Sequence, residues 1–156
     1  MNFGGRCSVV LALTVALAVS ASPHPREPVE IPFEYSKAFG LMLVKVEVNG
    51  QRAVMVLDTG SNETLASPRL VVVKQPGTKE PVALARGSGY TGSGVLAFAV
   101  LRVGRLNPKN CQVLVVDLSD LSKSLGQQID GILGMSVLRD FEIVSVDLRH
   151  HKLVLK

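Results

Sequence analysis

With 156 residues, 47% of them hydrophobic, the chain is long enough for one domain with a core and short for a two-lobed enzyme. A formal net charge of +4 comes from scattered Lys and Arg, and five Phe, two Tyr and no Trp cannot supply a stacking platform, so a nucleic-acid partner is excluded. Two cysteines and three histidines without ligand spacing exclude a metal cage, and no motif calls for a cofactor.

The first residues point to export. Residues 1–6 are a short basic start, 7–19 an apolar run short for a bilayer, and Val19-Ser20-Ala21 a small-residue cleavage pattern. Residues 1–21 are read as a secretory signal peptide, which makes the mature chain secreted or periplasmic with no stable membrane insertion. An uncleaved N-terminal anchor is the competing reading, opposed by the helix-breaking Pro23, Pro25 and Pro28. Cleavage removes Cys7 and leaves Cys111, which reads as a small buried hydrophobe inside the apolar run 111–116. Residues 22–32, rich in Pro and charge, read as a leader, and the domain proper is placed at 33–156.

A first strand is expected from near Phe33. From Leu41 to Val48 apolar Val44, Val46 and Val48 alternate with Lys45 and Glu47, and Asn49-Gly50 is the dipeptide that a two-residue hairpin turn prefers. The returning arm is Gln51 to Leu57. It ends in Val54-Met55-Val56-Leu57-Asp58-Thr59-Gly60-Ser61-Asn62, where four apolar residues indicate a strand buried on both faces and the last four are turn chemistry. Asp58 is thereby expected where a core strand opens into a loop.

Beyond an apolar stretch interrupted by Pro68 and a surface loop at 74–81, strands are expected at 82–85 and 95–103. They flank Arg86-Gly87-Ser88-Gly89-Tyr90-Thr91-Gly92-Ser93-Gly94, whose glycines make it a mobile hairpin tip. Gly87, Gly89 and Gly92 also match the dinucleotide fingerprint, but a strand rather than a helix follows, and the fingerprint fails without that helix. An Asn107-Pro108 turn leads to a strand at 111–116, and residues 117–128 read as a polar loop. Then come Ile129-Asp130-Gly131-Ile132-Leu133-Gly134, one helix at 136–141, and strands at 143–146 and 153–155 around a turn holding His150 and His151, read as solvated. The fold class is all-β, with one or two short helices.

The chemistry left open is that of carboxylates. No nucleophile, His and acid set can be assembled, because His24 falls in the leader and the adjacent His150 and His151 diverge. Asp58 needs a second carboxyl at close range so that one proton is shared and acid and base are supplied together. Either Asp130, whose surroundings loosely echo those of Asp58, or a second copy of Asp58 across a two-fold axis can provide it.

Leu57-Asp58-Thr59-Gly60-Ser61, a glycine-rich hairpin about thirty residues on, and Ile132-Leu133-Gly134 before a short helix together resemble the single-domain, retropepsin-like aspartic proteases, over about residues 41–155. The resemblance implies a small closed-barrel acid protease fold with one lobe per chain. It further implies a homodimer that hydrolyses an extended polypeptide with a water activated by two Asp58 carboxyls. Thr59 would link the two active-site loops, Gly60 would admit substrate backbone, and Ser61 would hydrogen-bond the Asp58 carboxylate. Gly87, Gly89, Tyr90 and Gly92 would form the flap, and Ile132, Leu133 and Gly134 the apolar loop beneath the active-site strand. Viral members carry an acid and an Arg where this chain has Asn62 and Met135. A non-catalytic dimeric peptide-binding module of the same fold is the alternative.

Overall fold

The computed structural model describes residues 27–72, 82–83 and 93–156. Its ten strands are β1 (Val29–Ser36), β2 (Leu41–Val48), β3 (Gln51–Leu57), β4 (Leu65–Ala66), β5 (Val82–Ala83), β6 (Ser93–Val103), β7 (Lys109–Val115), β8 (Gly131–Leu133), β9 (Val144–Asp147) and β10 (Lys152–Leu155). Two short helices, α1 (Ser119–Leu125) and α2 (Met135–Leu138), complete the described elements.

Strand alternation builds the first core. Val44, Val46 and Val48 of β2, Ala53, Met55 and Leu57 of β3, and Ala99, Leu101 and Val103 of β6 all point to one interior. Asn49 and Gly50, with φ of 51° and 78°, make the tight turn that fixes β2 against β3 from Val48↔Gln51 to Leu43↔Val56. The strands run in the order β6-β7-β4-β8-β3-β2, and a further β2–β6 pairing returns the sheet to its start, so six strands close a barrel. Closure removes the edges that these strands would otherwise expose.

A second core lies outside the barrel wall. Leu43, Val56, Leu65, Leu114 and Ile132 turn outward and are covered by Leu118 and by the half-buried Leu121 and Leu125 of α1. This explains why Val54 to Leu57 is uniformly apolar, since β3 has a core on each face. It also corrects the polar loop expected at 117–128. Leu118, Leu121 and Leu125 recur at helical spacing, and Gly126 ends the helix with φ of 64°. Seven residues with three Ser and an Asp hid that signal.

The first strand starts at Val29, four residues before the expected Phe33. Val29 and Ile31 are buried between exposed Glu30 and Pro32, and pair with Leu155 and Leu153 at the far end of the chain. The Phe33 N–H donates to the His151 carbonyl (3.0 Å), so ladder alternation directs the Pro32 nitrogen away from β10, where it loses no bond. From Phe33 onward β1 pairs with β2 instead, so β1, β10 and β9 form a separate three-stranded sheet beside the barrel. Cys111 is buried, as expected for a small hydrophobe, and burial pushes its thiol pKa up. His150 and His151 occupy the β9–β10 turn. There the Asp147 carboxylate pairs with His150 Nδ1 (2.7 Å), and the His151 ring lies 5.5 Å from that of Phe33.

Candidate active site

Asp58 leaves the C-terminal end of β3 half-buried, while the three residues before it are buried. Its N–H donates to the Leu133 carbonyl (3.1 Å), which continues the parallel β3–β8 ladder of Met55↔Gly131, Val56↔Ile132 and Leu57↔Leu133. Ile132 and Leu133 thus lie alongside β3 as part of the strand β8 rather than in the expected apolar loop, one facing each core, because the ladder with β3 satisfies their main chain. The Gly60 N–H donates to Asp58 Oδ1 (2.8 Å), and a Cβ at Gly60 would come within 3.2 Å of the same oxygen. Thr59 is exposed beside it.

The turn after Asp58 is strapped to the start of α2. Met135 N–H donates to the Ser61 carbonyl and Ser136 N–H to the Asn62 carbonyl, both at 2.8 Å. Thr64, fully buried, accepts from Gly134 N–H through Oγ1 (3.1 Å), and its own N–H donates to Ser136 Oγ (2.8 Å). A Cβ at Gly134 would collide with the Glu63 carbonyl, so only glycine allows this approach. Asn62 and Met135 replace the acid and Arg of viral enzymes, and in this chain their neighbourhood is held by main-chain bonds. Thr64 and Ser136 escaped the sequence reading. Their hydroxyls sit in unremarkable contexts, and only the meeting of two loops 70 residues apart gives them a role.

The Ser61 hydroxyl is turned to Glu63 and not to the Asp58 carboxyl. It donates to the Glu63 carbonyl (2.8 Å), and the hydrogen bond that the resemblance places on Asp58 is supplied by Gly60 N–H. A main-chain donor two residues on is fixed by the turn itself, whereas a serine rotor is free to satisfy the nearest carbonyl. Gly87, Gly89, Tyr90 and Gly92, expected to form a flap, lie outside the described residues.

Asp130 is not a partner for Asp58. It stands beside Val54, exchanging Asp130 N–H to Val54 O (2.8 Å) and Val54 N–H to Oδ2 (2.9 Å). That position is four residue steps along the chain from Asp58, roughly 13 Å at about 3.3 Å per step. The carboxyl, 3% exposed, is further held by Arg69 Nε (2.7 Å) and Nη2 (2.6 Å) and by Gln128 Nε2 (2.7 Å). Burial alone would raise its pKa, but the Arg69 guanidinium, the Val54 N–H and the Gln128 amide outweigh it and hold the carboxyl below the usual range.

A single closed barrel with a half-exposed aspartate at a strand end, strapped to a buried Ile-Leu-Gly turn, defines the retropepsin-like class of aspartic protease folds. The sequence matches the family model described as Aspartyl protease over residues 44–137, which spans the barrel, Asp58 and α2, and the chain belongs to that family. Among solved structures it is similar to a retropepsin-like aspartic protease from Rickettsia conorii, at 18% identity with a TM-score of 0.54 over 86% of this chain and 95% of that one. It also matches the EIAV protease complexed with the inhibitor HBY-793 (20% identity, TM-score 0.44, 63% of this chain and 85% of that one). A third match is the retroviral protease-like domain of Ddi1 from Leishmania major (17% identity, TM-score 0.45, 74% and 88%). No curated protein matches the chain.

Proposed function

We propose that this chain is an aspartic endopeptidase that works as a homodimer, the Asp58 carboxyls of two copies sharing one proton and activating a water against an extended polypeptide. The observation that carries this reading is the division of labour between the two candidate carboxyls. Asp130 is fully engaged far from Asp58, which supports a second copy as the source of the second close carboxyl. In the shared-proton state the ionised carboxyl takes a proton from the attacking water while the protonated one donates to the peptide carbonyl; the water-derived proton then passes to the leaving amine as the C–N bond breaks, and a hydroxyl of the tetrahedral intermediate returns its proton to the other carboxyl. Such a pair gives a bell-shaped dependence of kcat/KM on pH with an acidic optimum. The apolar start of the chain supports export as the setting for this activity.

The test is hydrolysis of a denatured protein at acidic pH, followed over a dilution series beside sedimentation of the same samples. Specific activity is expected to fall in parallel with the dimer fraction. A fully active monomer at nanomolar concentration would overturn the shared dyad, and a dimer that binds peptide without cleaving it would favour the non-catalytic module.

A further inference from the structure

Two hollows adjoin between the β6–β7 turn and α2. One, of about 460 Å³, is lined by Val103, Leu106, Cys111, Val137 and Phe141, and the other, of about 480 Å³, by Val29, Leu155 and, again, Leu106 and Phe141. With those two half-buried side chains in common, they make one apolar groove that runs from Cys111 to Glu27, the first described residue. The Glu27 end is acidic, since Glu27, Asp140 and Glu142 line it against Lys156. Lys109 pairs with Asp140 (2.6 Å), whereas Glu27 and Glu142, both exposed, form no ion pair among the described residues.

We propose that the groove seats the chain's own leader: Ser22-Pro23-His24-Pro25-Arg26 turns back from Glu27 and lies along Phe141 and Leu106 toward Cys111. The segment joins the described chain at the acidic end of the groove, so it is already at hand and docks without the entropy loss of a separate partner. Ser22, His24 and Glu27 each precede a proline, which presses them into extended backbone, and five residues at about 3.1 Å each reach roughly 15 Å. A segment stiffened in this way has little freedom left to lose, and the rings of Pro23 and Pro25 offer apolar surface to Leu106 and Phe141. Its one permanently charged side chain, Arg26, is opposite in sign to the unpaired Glu142 and Glu27. Phe141 follows α2, whose Met135 and Ser136 N–H groups hold the Ser61 and Asn62 carbonyls, so a seated leader braces the turn after Asp58 from behind.

The test takes residues 22–156, the chain expected after removal of the signal peptide, in which Cys111 is the only thiol, and reads the rate at which iodoacetamide alkylates it at fixed pH. The triple variant Pro23→Gly, Pro25→Gly, Arg26→Glu and, separately, Glu142→Arg are expected to react at least ~10-fold faster than the parent, with parent-like circular dichroism. Combining Arg26→Glu with Glu142→Arg should restore the slow rate, which a general loosening of the fold would not do. If the variants react at the parent's rate, or the charge-swapped pair stays as fast as Glu142→Arg alone, the leader does not occupy the groove. Should the triple variant fail to fold, Glu142→Arg and the charge-swapped pair decide by the same criterion. Protection of the parent's Cys111 that rises with protein concentration would put a second copy's segment in the groove and overturn the intramolecular seat.

Discussion

Two aspartates with a glycine close behind, in Asp58-Thr59-Gly60 and Asp130-Gly131, sit at opposite ends of neighbouring parallel strands and have opposite fates. Asp58 follows the last residue of β3, where the ladder runs out and the chain turns into solvent, so its carboxyl stays half-exposed with Gly60 N–H as its hydrogen-bond donor among the described residues. Asp130 precedes the first residue of β8, between the barrel wall and the 66–70 turn, and is buried with a guanidinium, an amide and a main-chain N–H around it. Because the strands are parallel, the end of one and the start of the other lie at different heights of the barrel. The difference teaches that a carboxyl's place along its strand decides whether it stays open to solvent or is built into the structure. A reactive group needs an open lone pair, whereas a buried charge survives only when it is fully paired.

The widest separation between the two should come from Asp58→Asn. The amide retains the shape and the hydrogen bond from Gly60 but cannot share a proton, so kcat/KM should drop by at least ~10³-fold while the thermal midpoint stays near the parent's. Hydrolysis surviving in that variant would erase the distinction.

Asp130→Asn should do the reverse. Arg69 is 40% exposed and can turn to water, so the loss is moderate, about 2 kcal/mol in urea unfolding, with the activity of folded protein retained. A carboxyl whose pKa is lowered by folding stabilises the native state above its unfolded value of about 3.9, and that contribution fades as pH falls through the lower folded value. The gap between parent and Asp130→Asn should therefore be full at pH 6 and close as acid protonates Asp130 in both states. A gap that widens in acid would mean the ion pair is not what holds the turn.

The smallest effect sharpens the picture of Asp58 itself. Ser61→Ala removes a hydrogen bond to the Glu63 carbonyl, about 0.5–1 kcal/mol, and leaves Gly60 N–H on the carboxylate. Both limbs of the pH profile should coincide with the parent's. A displaced acid limb in kcat/KM would return the serine hydroxyl to the Asp58 carboxyl.

The sequence by itself determined the elements whose cause is local. The β2–β3 hairpin follows from alternation and Asn49-Gly50, and the opening at Asp58 from an apolar run that stops at turn residues. In each, periodicity and turn chemistry act within about ten residues, and the structure places them within a residue or two of expectation. Only the tertiary structure decided which carboxyl is engaged and which is open, because Arg69 reaches Asp130 across 61 residues and no local pattern announces that pairing. It also decided that Ser61 serves Glu63, that Thr64 and Ser136 tie the active-site turn to α2, and that β1 begins at Val29. Each of these depends on a neighbour far along the chain, and the pairing energy that fixes it exists only once the barrel has closed.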